Sequence, residues 1–291
     1  MDELVLVRRD GPVATVTMAR PEVHNAFNEH LIAQLREAFD SLRDDGGVRV
    51  VVLAGEGKSF SAGADLDWMR RAADFSEEEN LRDAGAAAAL WRAVAECPKP
   101  VVARVHGNAF GGGAGLVAAS DIAIASEQTM FGFTEVRLGL VPATVAPHVV
   151  EKIGPGRALP LFLTGERFDA RRAFEIGLVH QVVPDAEMDV AVGTVVDQLL
   201  SGGPNALRWC KELVRHVAAE DRTRIDEYTA GLIASARAGE EGREGVAAFL
   251  EKRKPGWIPH PRPLSRARER GESRGWKASA TKEGSREGEG L

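Results

Sequence analysis

Three consecutive glycines, Gly111-Gly112-Gly113, lie between a Val-rich segment and an Ala-rich one, in the stretch Asn108-Ala109-Phe110-Gly111-Gly112-Gly113-Ala114-Gly115-Leu116. Glycine in such a run serves a backbone that must take unusual dihedrals or come close to a ligand. The pattern predicts a strand that enters a buried helix through a turn no side chain crowds. A helix start presents N–H groups without intrahelical acceptors, so a developing negative charge above this turn would be stabilised. A turn that merely packs a helix tightly would leave the same signature.

The chain around this turn alternates strand and helix signals. Leu4 to Arg9 and Val13 to Met18 alternate as strands about Asp10-Gly11-Pro12, predicting a hairpin. Leu31, Leu35, Ala38, Phe39 and Leu42 recur at helical spacing over 28–43, with Asn28 as the N-cap. Val48 to Ala54 is a β-branched run suited to a strand buried on both faces. A helix is expected over 77–96, stopped by Pro98-Lys99-Pro100; Val101 to Val105 is then the strand feeding the glycine turn. Ala114 to Ser120 is the helix leaving it, and Asp121 to Ala125 a further strand. Long crossovers between strands require parallel pairing, which gives an α/β core. Helical segments dominate after Gly154, at 157–163, 170–176, 186–200 and 204–220. The expected division is a core over 1–195, a helical region over 196–258, and a tail over 259–291. That tail is rich in Gly, Ser, Arg and Glu and too poor in apolar residues to order itself.

Composition excludes several classes. The tail carries eight Arg or Lys against five Glu, which leaves −9 for residues 1–258 of a chain whose net charge is −6, and an acidic body argues against nucleic-acid binding. The acidic start Met1-Asp2-Glu3-Leu4 has no basic region followed by an apolar core, and no uncharged run approaches spanning length, so a cytoplasmic protein without membrane segments is expected. Cys97 and Cys210 are too few for a disulfide framework, and each is expected to be a buried free thiol. No histidine pair or cluster has metal-ligand spacing, and no metal is expected. Gly57-Lys58-Ser59 resembles the end of a phosphate loop, but Val52 stands where the first glycine is needed; the triple glycine lacks G-x-G-x-x-G because its sixth position is Leu116; Ser59 and Ser61 lack the flanking glycines of a hydrolase elbow.

Two loops and one carboxylate survive these exclusions. Ser59-Phe60-Ser61-Ala62-Gly63-Ala64-Asp65-Leu66 and Gly107 to Gly113 each follow a buried strand and precede a helix, so each can bring a backbone N–H to the carboxyl ends of neighbouring strands. A carbonyl oxygen caught between two such donors is polarised. Phe131 to Pro142 holds Glu135 among apolar residues, where desolvation raises a carboxyl pKa toward the range of proton transfer at neutral pH. The competing reading is a surface ion pair with Arg137.

These three blocks, in this order and spacing, resemble the crotonase superfamily, the enoyl-CoA hydratases and isomerases. Arg20-Pro21 through Asn25-Ala26-Phe27 and the closing Phe249 to Lys254 fit as well, so the likeness covers about residues 3–257. It implies a crotonase-type α/β spiral of ββα units with a helical C-terminal oligomerisation region, assembled as trimers or dimers of trimers. It further implies an acyl-CoA thioester polarised by the Ala64 and Gly112 amides beside a catalytic Glu135. Coenzyme A, part of the substrate rather than a separate cofactor, would lie along Val23, His24, Ala26, Ala62, Asp65 and Leu66. Phe249 and Lys252 would touch the nucleotide of a neighbouring subunit.

One position departs from the family pattern. Hydratases of the type member's kind carry a second glutamate where this chain has Gly115. Three readings stay open: hydration of a branched, carboxylated enoyl-CoA, since the Gly-Gly-Gly-Ala-Gly-Leu run and Ala64 to Arg71 look like bacterial methylglutaconyl-CoA hydratases, with Arg70 or Arg71 nominated to meet a distal carboxylate; Δ3,Δ2-isomerisation by one base; and a non-catalytic CoA-binding protein.

Overall fold

The computed structural model describes residues 3–219 and 222–258. The expected hairpin is present as β1 (Val5–Asp10) and β2 (Val13–Met18), antiparallel, with Val5 opposite Met18. In α1 (Glu29–Arg43) the Asn28 side chain accepts a hydrogen bond from Leu31 N–H at 2.9 Å, and Leu31, Ile32, Leu35, Ala38, Phe39 and Leu42 are buried. The chain continues through β3 (Val50–Gly55), α2 (Leu66–Ala72), α3 (Glu77–Ala95), β4 (Val101–Val105), β5 (Asn108–Phe110), α4 (Gly112–Ala119), β6 (Ile122–Ser126) and β7 (Met130–Gly132). Then come α5 (Ala146–Ile153), α6 (Pro155–Thr164), β8 (Arg167–Asp169), α7 (Ala170–Glu175), β9 (Gln181–Val183) and α8 (Met188–Ser201), followed by α9 (Pro204–Ala219), α10 (Arg222–Ala238) and α11 (Glu240–Leu250).

The main sheet has six strands in the order β1-β2-β3-β4-β6-β9, parallel except at the β1 edge. Alternation along β3 shows why its sequence is a continuous apolar run. Val51 and Leu53 enter the large core shared with α1, α3 and α4, whereas Val50 and Val52 enter a second core under Val192, Val195 and Val196 of α8. A strand covered on both faces has no position left for a polar residue.

A second sheet, β5-β7-β8, was not expected. Its strands have three residues each, too short for a period of two to be read, and Asn108–Phe110 merges with the glycine turn in sequence. Ala109, Phe131 and Phe168 are its buried row, with the two phenylalanine rings stacked at 5.8 Å.

The 195/196 boundary falls inside α8, which packs on the main sheet, whereas α9 has no buried residue. Polar clamps tie the C-terminal helices to the core: Arg49 donates to Trp257 O and Gly202 O at 2.6 Å each, Lys211 pairs with Asp121 at 2.6 Å, and Arg215 donates to Ala95 O at 3.0 Å. Both cysteines are free thiols. Cys97 is buried as expected, but Cys210 is exposed, because it lies on the outward side of α9. The tail expected to be disordered, 259–291, lies outside the described residues. Among the described residues no helix is long and apolar enough to cross a membrane.

Leu53 has no exposed surface and Leu81 is 73% exposed. Leu53→Ala is expected to lower the unfolding free energy by about 3 kcal/mol, and Leu81→Ala to change it by less than about 0.5 kcal/mol. Urea titration of the two variants measures both.

Candidate active site

The two expected loops lie side by side. Phe60 N–H donates to His106 O at 2.8 Å, Ser61 N–H to Asn108 O at 2.9 Å, and Phe110 N–H to Ser61 O at 3.0 Å, so the segment before Ala64 runs parallel to β5. On its other side Phe27 N–H donates to Gly63 O at 2.7 Å, and Asp65 N–H donates to Phe27 O at 2.9 Å. Ala64 sits between those two bonds, and its own N–H faces away from Phe27. Among the described residues that N–H meets no acceptor.

Gly111 turns the chain from β5 into α4 with φ +49°, a conformation that favours glycine, while its N–H donates to Gly132 O at 2.9 Å. Gly112 is therefore the first helical residue, and its N–H likewise meets no acceptor among the described residues. Every other residue of α4 is buried. A helix apolar on all sides must sit inside the core, which fixes where its N-terminus points.

Glu135 opens a short 3-10 turn, Glu135–Leu138, directly after the β7 strand that pairs with β5. Its Oε1 lies 3.1 Å from where a Cβ on Gly111 would stand. Its Oε2 is buried and has no hydrogen-bond partner among the described residues. Burial pushes the Glu135 carboxyl above the usual glutamate range, offset in part by a hydrogen bond from its own backbone N–H. No ion pair joins it to Arg137 among the described residues, so the surface-pair reading does not hold.

Position 115 is closed. A Cβ on Gly115 would lie 2.3 Å from Val145 Cγ1 and 2.6 Å from Trp91 Nε1. The space that a second glutamate would need is filled by a valine and an indole.

The N-terminal block is held by polar bonds that its sequence does not announce. His24 and Asn25 both take φ +54°, a costly conformation for residues with side chains. Buried Asn25 is fixed there, since its Oδ1 accepts from Arg20 N–H at 2.8 Å and its Nδ2 donates to Glu56 O at 2.9 Å and Ser59 O at 2.8 Å. Arg20 donates to Ala26 O at 2.5 Å and pairs with Asp65 at 3.0 Å. Asp65 also caps α2 by accepting from Asp67 and Trp68 N–H. Desolvation would raise its pKa, but the Trp68 amide, the Arg20 guanidinium and the Asp67 amide together hold it below the usual carboxylate range.

The other expected contact residues divide into two groups. Val23, His24, Ala26, Ala62, Asp65 and Leu66 line one ridge: His24 accepts from Ala62 N–H at 2.9 Å and meets Ser59 Oγ at 3.1 Å, Ala26 and Asp65 are buried, Val23 is partly exposed, and Leu66 is exposed. Phe249 and Lys252 stand at the end of α11, which packs on α10, and Phe249 is 83% exposed. Arg70 pairs with Asp67, and Arg71 holds Glu29 through both carboxylate oxygens at 2.7 and 2.8 Å, so each nominated cation already has an acidic partner. Sequence reading missed Arg20, Asn25, Trp91 and Val145 as site-shaping residues. Trp91 carried the one visible signal, a large aromatic ending the run Ala86 to Ala89, Leu90.

Two outcomes are expected. Gly115→Ala should cost about 1–3 kcal/mol by overpacking, with part of the loss recovered by adding Val145→Ala; thermal denaturation of the single and double variants measures this. Glu135 has a raised folded-state pKa, so its contribution to stability is present at low pH and is lost as pH rises through that value. Glu135→Gln should therefore be more stable than the parent at pH 8, with the difference narrowing as pH falls through the raised Glu135 pKa toward the ordinary glutamate range, as read in denaturant titrations.

Comparison with known proteins agrees with this geometry. Residues 8–259 match the family profile described as enoyl-CoA hydratase/isomerase. The crystal structure of an enoyl-CoA hydratase from Shewanella pealeana superposes with a TM-score of 0.85 at 38% identity, over 88% of this chain and 96% of that one. Crotonyl-CoA hydratase of Syntrophomonas wolfei is 32% identical over 258 residues, covering 88% of this chain and 98% of the relative. Trans-2-decenoyl-(acyl-carrier-protein) isomerase of Streptococcus mutans is 32% identical over 253 residues, covering 86% and 96%.

Proposed function

The chain belongs to the enoyl-CoA hydratase/isomerase family, and we propose that it adds water to an α,β-unsaturated acyl-CoA thioester with Glu135 as its one acid–base group. The observation that carries this reading is a carboxyl whose buried Oε2 has no partner among the described residues, set against the turn that presents the Gly112 N–H. As water oxygen bonds to Cβ, Glu135 takes the water proton and the C=C electron pair moves onto the thioester oxygen. The resulting enolate is held by Ala64 N–H and Gly112 N–H. Protonated Glu135 then gives its proton to Cα, which restores the carboxylate and completes the addition. A non-catalytic role fits poorly with a carboxyl whose ionised form is disfavoured by burial.

The substrate we favour is a branched enoyl thioester with a distal carboxylate, of the methylglutaconyl type, on the likeness of the glycine loop and of Ala64 to Arg71. Receiving that carboxylate on Arg70 or Arg71 would mean displacing Asp67 or Glu29, and both pairs are exposed enough to exchange. The second reading, Δ3,Δ2-isomerisation, is favoured by the closure of position 115, because moving a proton between two carbons needs one base.

Coenzyme A is proposed to lie along Val23, His24, Ala26, Ala62, Asp65 and Leu66 as part of the substrate, with no separate cofactor. Exposed apolar side chains on the C-terminal helices, including Val214, Ile233, Val246, Phe249 and Leu250, support association between copies, proposed as a cytoplasmic trimer or dimer of trimers in which Phe249 and Lys252 reach a neighbouring nucleotide.

Turnover of crotonyl-, 3-methylglutaconyl- and 3-hexenoyl-CoA, followed by product identity, tests the assignment. Hydrated product from a 2-enoyl thioester is expected, with kcat reduced at least about 10³-fold in Glu135→Gln. Conversion of 3-hexenoyl-CoA alone would select the isomerase reading. The acid limb of the kcat/KM profile should lie above the usual glutamate range, because burial raises the Glu135 pKa.

A further inference from the structure

Gly112 and Ala64 lie on different elements, yet one pair of aromatic residues touches the surroundings of both. Phe27 holds the Ala64 loop through its backbone, donating to Gly63 O at 2.7 Å and accepting from Asp65 N–H at 2.9 Å. Its ring lies against Gly112, where a Cβ would stand 3.0 Å from Phe27 Cδ2. Trp91 meets the Phe27 ring with centroids 5.6 Å apart at 51°. The Trp91 ring also covers Gly112, with Cζ2 2.8 Å from the Cβ position, and its Nε1–H donates to Gly112 O at 3.0 Å. Trp91 is 3% exposed on α3, so its ring is fixed by the core rather than by the loop.

We propose, on the functional reading above, that Trp91 is a positioning residue for the thioester: with Phe27 it forms a bracket that sets the Gly112 amide against the Ala64 amide. Gly112 has no side chain of its own to lock its dihedrals, and the indole hydrogen bond supplies the missing constraint. The same geometry explains position 115. The Trp91 N–H reaches Gly112 O by passing where a residue 115 side chain would stand, 2.6 Å from that Cβ. A second acid at 115 and the indole donor compete for one space, and this chain holds the indole.

The test compares the parent protein with Trp91→Phe and with a variant carrying benzothienylalanine at 91, which keeps the two-ring shape and replaces N–H by sulfur. Each is given a saturated acyl-CoA labelled with ¹³C at the thioester carbonyl, and the carbonyl stretch of the bound ligand is read by difference infrared spectroscopy beside kcat and KM. The expected result is a downshifted stretch in the parent protein, a shift at least halved in both variants, kcat lower by about tenfold, and KM within about twofold. Full shift and full kcat in the benzothienylalanine variant would overturn the bracket while leaving the Glu135 assignment standing. Absence of any shift in the parent would overturn both, since no polarising amide would remain to be positioned. Normal turnover loss in Glu135→Gln with an unchanged shift keeps the two roles apart.

Discussion

The pairing of residues 60–61 with β5 is the constraint on which the site depends. Ser61 N–H to Asn108 O and Phe110 N–H to Ser61 O bind two loops that are nearly fifty residues apart in sequence into one short parallel ladder. Beyond that ladder Gly63 still lies against Phe110 and Gly111, with a Cβ position 3.2 Å from Phe110 O, so Ala64 and Gly112, one residue further along each segment, emerge near one another. Parallel pairing needs the crossover through α2 and α3, and α3 carries Trp91 back against the glycine turn. Fold and site are thus one construction, with the small sheet placing the donors and the large sheet supplying the rigid floor.

Around that ladder the polar groups are sorted by what they do. Arg20, Asn25 and Asp65 are buried or nearly so and fully engaged, and their bonds hold a backbone that His24 and Asn25 would not adopt by themselves. Glu135 is the opposite case. Its Oε2 is buried without a partner among the described residues, a condition that costs folding free energy, and burial holds the carboxyl above the usual glutamate range. One carboxylate oxygen is left unpartnered among the described residues while Arg20 and Asp65 are paired with each other.

Much of this was legible in the sequence because local rules and tertiary structure agreed. Asn28 caps α1 as its side chain predicts, β3 is apolar along its length because both faces are covered, and burial raises the Glu135 pKa as expected. The small sheet was not legible, since three-residue strands carry no readable period and β5 hides in the glycine run. Trp91 shows in the sequence only as a large aromatic within an expected helix; its bond to Gly112 O spans 21 residues, a separation no local pattern reports. Gly115 was visible as a missing acid, but the reason it must be glycine lies in Val145 and Trp91, which only the folded chain brings there. Cys210 departs from the expected buried thiol because α9 has no buried residue and carries its cysteine outward.

The central claim is that Glu135, with the Ala64 and Gly112 amides, makes and quenches an enolate at Cα. Deuterium uptake at Cα of butyryl-CoA in D₂O tests it directly, because a saturated thioester can exchange its α-proton without adding or losing water. Uptake well above the buffer rate, abolished in Glu135→Gln, is predicted. Exchange at the parent rate in Glu135→Gln, or none in the parent protein, would contradict the account.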